Sequence, residues 1–245
     1  MATAPAGTRV LEIAANSLES ALAAQAGGAD RVELCENLGE GGCTPSYGTL
    51  AVARDRLQIP LYVLIRPRGG DFVYSPAEWE VMGRDVELCV RLGCDGVVLG
   101  ALDRQGAVDI AACAPLIAAA GGLGVTFHRA FDCTSDPARA LEDVIGLGCE
   151  RLLTSGQADS APAGAARIGE LVRQAGGRLR IMAGAGVTPT AVPLLAAVGV
   201  REFHASAKAW LPGTGGPAPQ GLAPGVWRTG AALVSALRAQ IDMPS

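Results

Sequence analysis

The chain has 245 residues, 49% of them hydrophobic but only 4% aromatic, and a formal net charge of −4. That is the size of one α/β barrel of about 250 residues, with Ala, Val, Leu and Ile left to do the packing. The mild charge gives no reason to expect a nucleic acid or an anionic membrane as partner, and no apolar run nears the roughly 20 residues that span a bilayer.

Residues 1–8 are Ala/Pro-rich and lack the charged and apolar blocks of a signal peptide, so they read as a short extension to a single domain over 9–245. The seven cysteines are odd in number, scattered, and form no C-x-x-C pair. Reduced thiols in a cytoplasmic protein are the expectation.

From there β-like and helix-like segments alternate. Strands are predicted over 9–14, 31–35, 61–66, 96–100, 124–128, 151–155, 179–183 and 202–206, with Ala/Leu-rich helical spacing between them. Eight strands with intervening helices predict a TIM-type (β/α)8 barrel; a doubly wound open sheet is the alternative. An internal echo supports the count. Gly28-Ala29-Asp30, Gly93-Cys94-Asp95, Gly148-Cys149-Glu150 and Gly199-Val200-Arg201 each end a helix just before an even-numbered strand. Helix starts are read at Ser17, Ser75-Pro76, Asp136-Pro137 and Thr188-Pro189. Residues 211–225 are rich in Pro and Gly and predict a surface loop or lid; 226–241 then return to helical spacing.

Alternation along the strands sorts their side chains. With Leu11, Ile13, Val32, Leu34, Val63, Ile65, Val125, Phe127 and Phe203 turned to the helices, the barrel interior receives Glu12, Glu33, Cys35, Arg66, Thr126, His128, Glu202 and His204. Both histidines of the chain fall at strand C-terminal ends, the face that carries chemistry in barrels of this type. Buried charges must pair with one another or meet a ligand or a metal. The bland alternative is an Arg–Glu network that plugs the barrel. The ligand reading assigns Glu12, Glu33, His128 and Asp132 as acid/base or orienting groups. Arg66, Arg68 and Arg129 would hold an anion, with Asp71 orienting; Arg68 and Asp71 could instead simply pair. Thr154 and Ser155 end strand six with hydroxyls that would orient a polar substrate or cap the next helix. Gly184 and Gly186 after strand seven, and His204 and Ser206 at strand eight, lie where many barrels bind phosphate. His128, His204, Glu12 and Glu33 would also suit a divalent ion, whereas Cys35 and Cys43 would favour Cu(I).

Longer motifs carry a resemblance. Gly28-Ala29-Asp30-Arg31-Val32-Glu33-Leu34-Cys35, Glu40-Gly41-Gly42-Cys43-Thr44-Pro45-Ser46, Ile65-Arg66-Pro67-Arg68-Gly69-Gly70-Asp71-Phe72, Thr126-Phe127-His128-Arg129-Ala130-Phe131-Asp132, Leu153-Thr154-Ser155-Gly156 and Met182-Ala183-Gly184-Ala185-Gly186 resemble the CutC family along nearly the whole chain. The resemblance implies a TIM-type barrel, a cytoplasmic location, a homodimer or higher homo-oligomer, and a role in copper homeostasis through copper binding. It implies a copper-binding pair of cysteines ending strands one and two. The second matches Cys35; the first falls at Ala14, leaving Cys43 as the nearest second thiol. Three expectations stand side by side: a Cu(I)-binding protein, an enzyme acting on a small anionic and possibly phosphorylated metabolite, and a barrel with an inactive mouth.

Overall fold

The computed structural model describes residues 9–212, 216 and 225–243. Eight parallel strands close on themselves in sequence order: β1 Val10–Ala15, β2 Arg31–Leu34, β3 Leu61–Leu64, β4 Gly96–Leu99, β5 Gly124–Phe127, β6 Arg151–Thr154, β7 Arg180–Ala183 and β8 Glu202–Ala205. The barrel expectation holds, and the open sheet is excluded by the β1–β8 pairing, in which Glu12 lies opposite His204. Around it run α1 Leu18–Ala26, α2 Tyr47–Arg56, α3 Pro76–Arg91, α4 Ile110–Ala119, α5 Pro137–Gly146, α6 Ala165–Ala175, α7 Val192–Ala197 and α8 Ala231–Asp242. None of the described helices is long and apolar enough to cross a membrane.

Local chemistry explains most helix starts. The Ser17 hydroxyl accepts from the Ser20 N–H, Asp136 accepts from the Arg139 N–H, and Ser75 forms a capping box with Glu78. Thr188-Pro189 departs from expectation. It opens a turn, the Thr188 carbonyl accepts from Ala191 and Val192, and α7 begins only at Val192. The four echo glycines, Gly28, Gly93, Gly148 and Gly199, all take positive φ, the left-handed backbone that ends a helix and that a Cβ would strain.

The alternation separates two apolar layers. Leu11, Ile13, Val32, Leu34, Val63, Ile65, Val125, Phe127 and Phe203 belong to the large cluster between sheet and helices. Cys35, Tyr62, Leu64 and Val98 form a small one inside the barrel. The tail differs from its helical expectation. Val226–Thr229 is a strand, β10, paired antiparallel with β9, Lys208–Leu211, so that Trp227 faces Trp210. The hairpin is tied to the barrel mouth: the Thr229 N–H donates to Ser20 Oγ at 3.1 Å and Asn16 Nδ2 to the Trp227 carbonyl at 3.0 Å. Of the predicted 211–225 loop, residues 213–215 and 217–224 lie outside the described residues, as do 1–8.

Candidate active site at the barrel mouth

The lower half of the interior is an ion network. The Arg31 guanidinium bonds Glu12 through a very short contact and Glu202 at 2.9 Å; Arg151 reaches the same Glu202 oxygen at 2.7 Å and Glu150 at 2.6 Å. Both guanidiniums flank the Tyr62 ring, at 4.9 and 5.1 Å from its centre. The sequence reading missed Arg31, Arg151 and Tyr62. Each sits at or near a strand start, and carrying the alternation back from Glu33, Leu153 and Leu64 would have turned them inward. The charge plug therefore exists, and two expected interior acids, Glu12 and Glu202, belong to it. Burial opposes the Glu12 charge, but Arg31 and the hydrogen bond from His204 overcome it and hold the carboxyl far below the usual range.

Above the plug opens a cavity of about 810 Å³ at the C-terminal ends of the strands. Glu33, Arg66, His128, Arg129, Asp132, Gly186, His204 and Ser206 line it; so do Phe72, Lys208 and Trp227, which the sequence reading did not single out. Glu12, Arg68, Asp71, Thr154, Ser155, Gly184, Cys35 and Cys43 lie off its wall.

Glu12 links plug and cavity. One carboxylate oxygen takes Arg31, while the other meets His204 Nδ1 at 2.7 Å. Burial lowers the His204 pKa, but the nearby Glu33 charge and the Glu12 hydrogen bond outweigh it and raise the imidazole above its ordinary value. Glu33 has the opposite fate. It is buried, its Oε2 has no hydrogen-bond partner, and burial with help from the Glu12 charge outweighs His204 and Arg31 and pushes its carboxyl up to about 7.

Directly after β5, His128 accepts from the Ala130 N–H through Nδ1, which leaves the proton of the neutral ring on Nε2. Burial, then the Arg66 charge, lowers its pKa to about 3, so at neutral pH it is an N–H donor and not a titrating base. Its Nε2 is buried and unpartnered. Arg66 gives its terminal nitrogens to the carbonyls of Glu40, Gly42 and Gly70, and its Nε is the third buried atom left over on this wall. Gly100 makes the room: a Cβ there would lie 2.7 Å from His128 Nδ1.

The remaining predicted residues support loops. Asp132 accepts from Thr154 Oγ1, the Ser155 and Gln157 N–H groups and Ser155 Oγ, and it pairs with Arg129 at 2.8 Å. It is an orienting group whose lone pairs are occupied. Arg68 pairs with Asp71 and Glu78, so the bland alternative for Arg68 and Asp71 is the one found. Gly184 provides a close approach, since a Cβ would meet Leu153 at 2.5 Å.

The metal expectations can be tested on these donors. Cys35 is buried beneath Gly42 and points its thiol at the Ala15 carbonyl, 3.6 Å away. Burial, with Glu33 and Cys43 adding to it, raises its pKa far above the usual thiol range. Ala14 supplies no ligand atom on the cavity wall. A thiolate pair for Cu(I) does not fit this arrangement. Glu12, Glu33 and His204 bring ligand atoms within 4.8 Å of one another. Both Glu12 oxygens are committed, however, and a divalent ion would have to stand beside the Arg31 guanidinium.

The architecture is thus a (β/α)8 barrel with an ion-paired floor and a polar small-molecule cavity at its mouth. A model of the CutC family matches residues 9–209. A CutC family protein of Xanthomonas campestris pv. campestris (strain B100) is 68% identical over 199 residues, covering 81% of this chain and 83% of that protein. One from Bacteroides thetaiotaomicron is 52% identical over 199 residues, covering 80% of each. A solved CutC from Streptococcus agalactiae, whose name ties it to copper homeostasis, is 35% identical with a TM-score of 0.78, over 81% of this chain and 99% of that one. The chain belongs to the CutC family. A thiamine phosphate pyrophosphorylase from Pyrococcus furiosus, 15% identical at a TM-score of 0.59 over 96% of this chain and 95% of that one, shares the fold alone.

Proposed function

We propose that this CutC protein is an enzyme that performs acid–base chemistry on a small anionic metabolite held in the barrel mouth. One observation carries the reading. Glu33 is buried on the cavity wall with an unpartnered oxygen and a pKa near 7, while every acid of the plug beneath it is paired. A carboxyl kept for packing alone would be costly in that state, whereas a general acid/base needs a pKa close to the working pH. In this proposal Glu33 moves the proton. His204 stands beside it, held by Glu12, and supplies positive charge; Arg66 and the His128 N–H draw the anionic end of the substrate, with Arg129 and Lys208 at the rim. Gly186 and Ser206 would receive a phosphate where the substrate carries one. Cytoplasmic residence and a homo-oligomer belong to the same proposal, supported by seven free cysteines, five of them buried, and by the exposed Trp210, Leu211, Val226 and Trp227.

The test works without the reaction being identified. Small oxo- and hydroxy-carboxylates and their phosphorylated analogues are incubated with the protein in D2O, and loss of C–H signals is followed by NMR alongside melting shifts. Glu33→Gln is expected to lower any exchange about 100-fold or more. A panel with neither exchange nor melting shift overturns the proposal.

Copper binding is the role that the family name carries, and the donor chemistry around Cys35 speaks against it here. Titration against a Cu(I) chelator decides the matter: micromolar or tighter binding that is lost in Cys35→Ala would restore that role.

A further inference from the structure

We propose that Phe72 is a displaceable plug over a carboxylate-binding subsite formed by Arg66 Nε and His128 Nε2. The subsite rests on the cavity being a ligand site, as argued above, but not on any proton transfer by Glu33.

Two buried donors on one wall are poorly satisfied. Both residues are 5% exposed; His128 Nε2 has no partner among the described residues, and Arg66 Nε makes no well-formed hydrogen bond, with the Tyr74 hydroxyl close to its guanidinium. Leaving buried donors without good acceptors is destabilising, more so for a charged one, so the pair calls for an explanation. The remaining atoms of both side chains are fixed. Three loop carbonyls hold the ends of the Arg66 guanidinium, and the Ala130 N–H holds His128 Nδ1. Neither side chain can turn away without breaking these bonds.

The Phe72 ring stands against both side chains. It lies 5.0 Å from Arg66 Cζ and 5.1 Å from the centre of the His128 ring. Phe72 is only half-buried and reaches the cavity wall, so it has room to rotate outward. Its backbone is pinned, because the Leu102 N–H donates to the Phe72 carbonyl at 2.9 Å. The motion required is therefore a side-chain rotation and not a loop movement. A ring over a guanidinium is held less strongly than a pair of hydrogen bonds between an anion and these donors, one of them charge-assisted. A ligand offering two acceptors at once displaces the ring.

The chemistry selects a carboxylate. The slot that the ring leaves is flat, its two donors are one charged and one neutral N–H, and a single planar anion with two oxygens satisfies both. A tetrahedral phosphate is thicker and brings more charge than one guanidinium offsets.

The protein contains only two histidines, so its imidazole NMR spectrum has two sets of signals, one of them His128. Malonate and inorganic phosphate are the probes, added to the full chain as wild type, Phe72→Ala, Phe72→Leu, His128→Phe and Glu33→Gln. Malonate is expected to shift the His128 Nε2–H signal. Phe72→Ala is expected to bind malonate about tenfold more tightly than wild type, with Phe72→Leu between, and His128→Phe about tenfold more weakly. Glu33→Gln is expected to keep malonate binding even where it abolishes exchange, which separates the two proposals. The subsite is overturned if malonate leaves His128 unshifted in both wild type and Phe72→Ala, if opening Phe72 leaves affinity unchanged, or if phosphate binds Phe72→Ala as tightly as malonate does.

Discussion

Glu12 and Glu33 are carboxyls on neighbouring strands of one barrel, and their environments push their pKa values apart. Glu12 has Arg31 and His204 on its two oxygens and stays ionised. Glu33 is as deeply buried but has no such partner, and its carboxyl rises from an ordinary 4.5 to about 7. A pair split in this way is the usual mark of acid/base assignment. It also has a consequence for stability. Between pH 4.5 and 7 the folded chain holds a proton on Glu33 that the unfolded chain has released, so this group's contribution falls as pH rises through that window. The loss is on the order of 3 kcal/mol by pH 8. Glu33→Gln should therefore be more stable than wild type at pH 8 and close to it at pH 4.5, as read from urea unfolding at both pH values. Equal stability at pH 8 would mean that folding does not raise the Glu33 carboxyl above its ordinary range. His128 acts in the reverse sense. Its folded pKa near 3 lies below the unfolded 6.5, so stability from this group is present above pH 6.5 and is lost as pH falls toward 3. His128→Phe should flatten the acid limb of the wild-type profile.

Glycines in the strands decide which large side chains fit inside. Gly96 opens β4 and Gly124 opens β5, and a Cβ at either would lie 2.1 or 2.2 Å from Tyr62. Tyr62 is held in place, because Arg31 and Arg151 both stand over its ring and its hydroxyl bonds Glu150. Gly96→Ala should cost about 1–3 kcal/mol by overpacking, in urea unfolding, although alanine is otherwise harmless in a strand. Tyr62→Leu in the same background should recover part of that loss. The β9–β10 hairpin teaches a different point. Its strands are largely exposed, so no inward–outward alternation of apolar and polar residues marks them, and the intervening stretch of sequence separates partners such as Trp210 and Trp227. Ordinary helical spacing in α8 then extended naturally backward over 226–229. The strand character came from pairing, which a local pattern does not record.

For the molecule as a whole, the floor of charges and the mouth are one connected structure. Arg151, Glu202, Arg31, Glu12 and His204 follow one another by direct contacts from the bottom of the barrel to the cavity. Arg151→Met removes one partner and leaves Glu202 and Glu150 undercompensated in a buried site, which should cost about 3–5 kcal/mol of unfolding free energy. Through Arg31 and Glu12 it should also change the pH titration of His204, visible in the same two-histidine NMR spectrum. A large loss of stability with an unchanged His204 titration would mean that floor and mouth are uncoupled.

The order and number of the eight strands could be read from the chain because their causes are local: apolar alternation, serine and aspartate caps, and a glycine ahead of every second strand. The same alternation put Glu33, Arg66, His128 and His204 inside, and those four do line the cavity. The roles within that set could not be read, because each depends on partners far off in sequence. Glu12 and His204 are 192 positions apart and meet only where the barrel closes. Arg31 and Arg151 neutralise the floor, Asp132 is taken up by loop N–H groups, and Cys35 turns its thiol to a carbonyl. Residue type and spacing state which charges enter the interior; burial and pairing, which belong to the closed barrel, determine which of them remain free to meet a ligand.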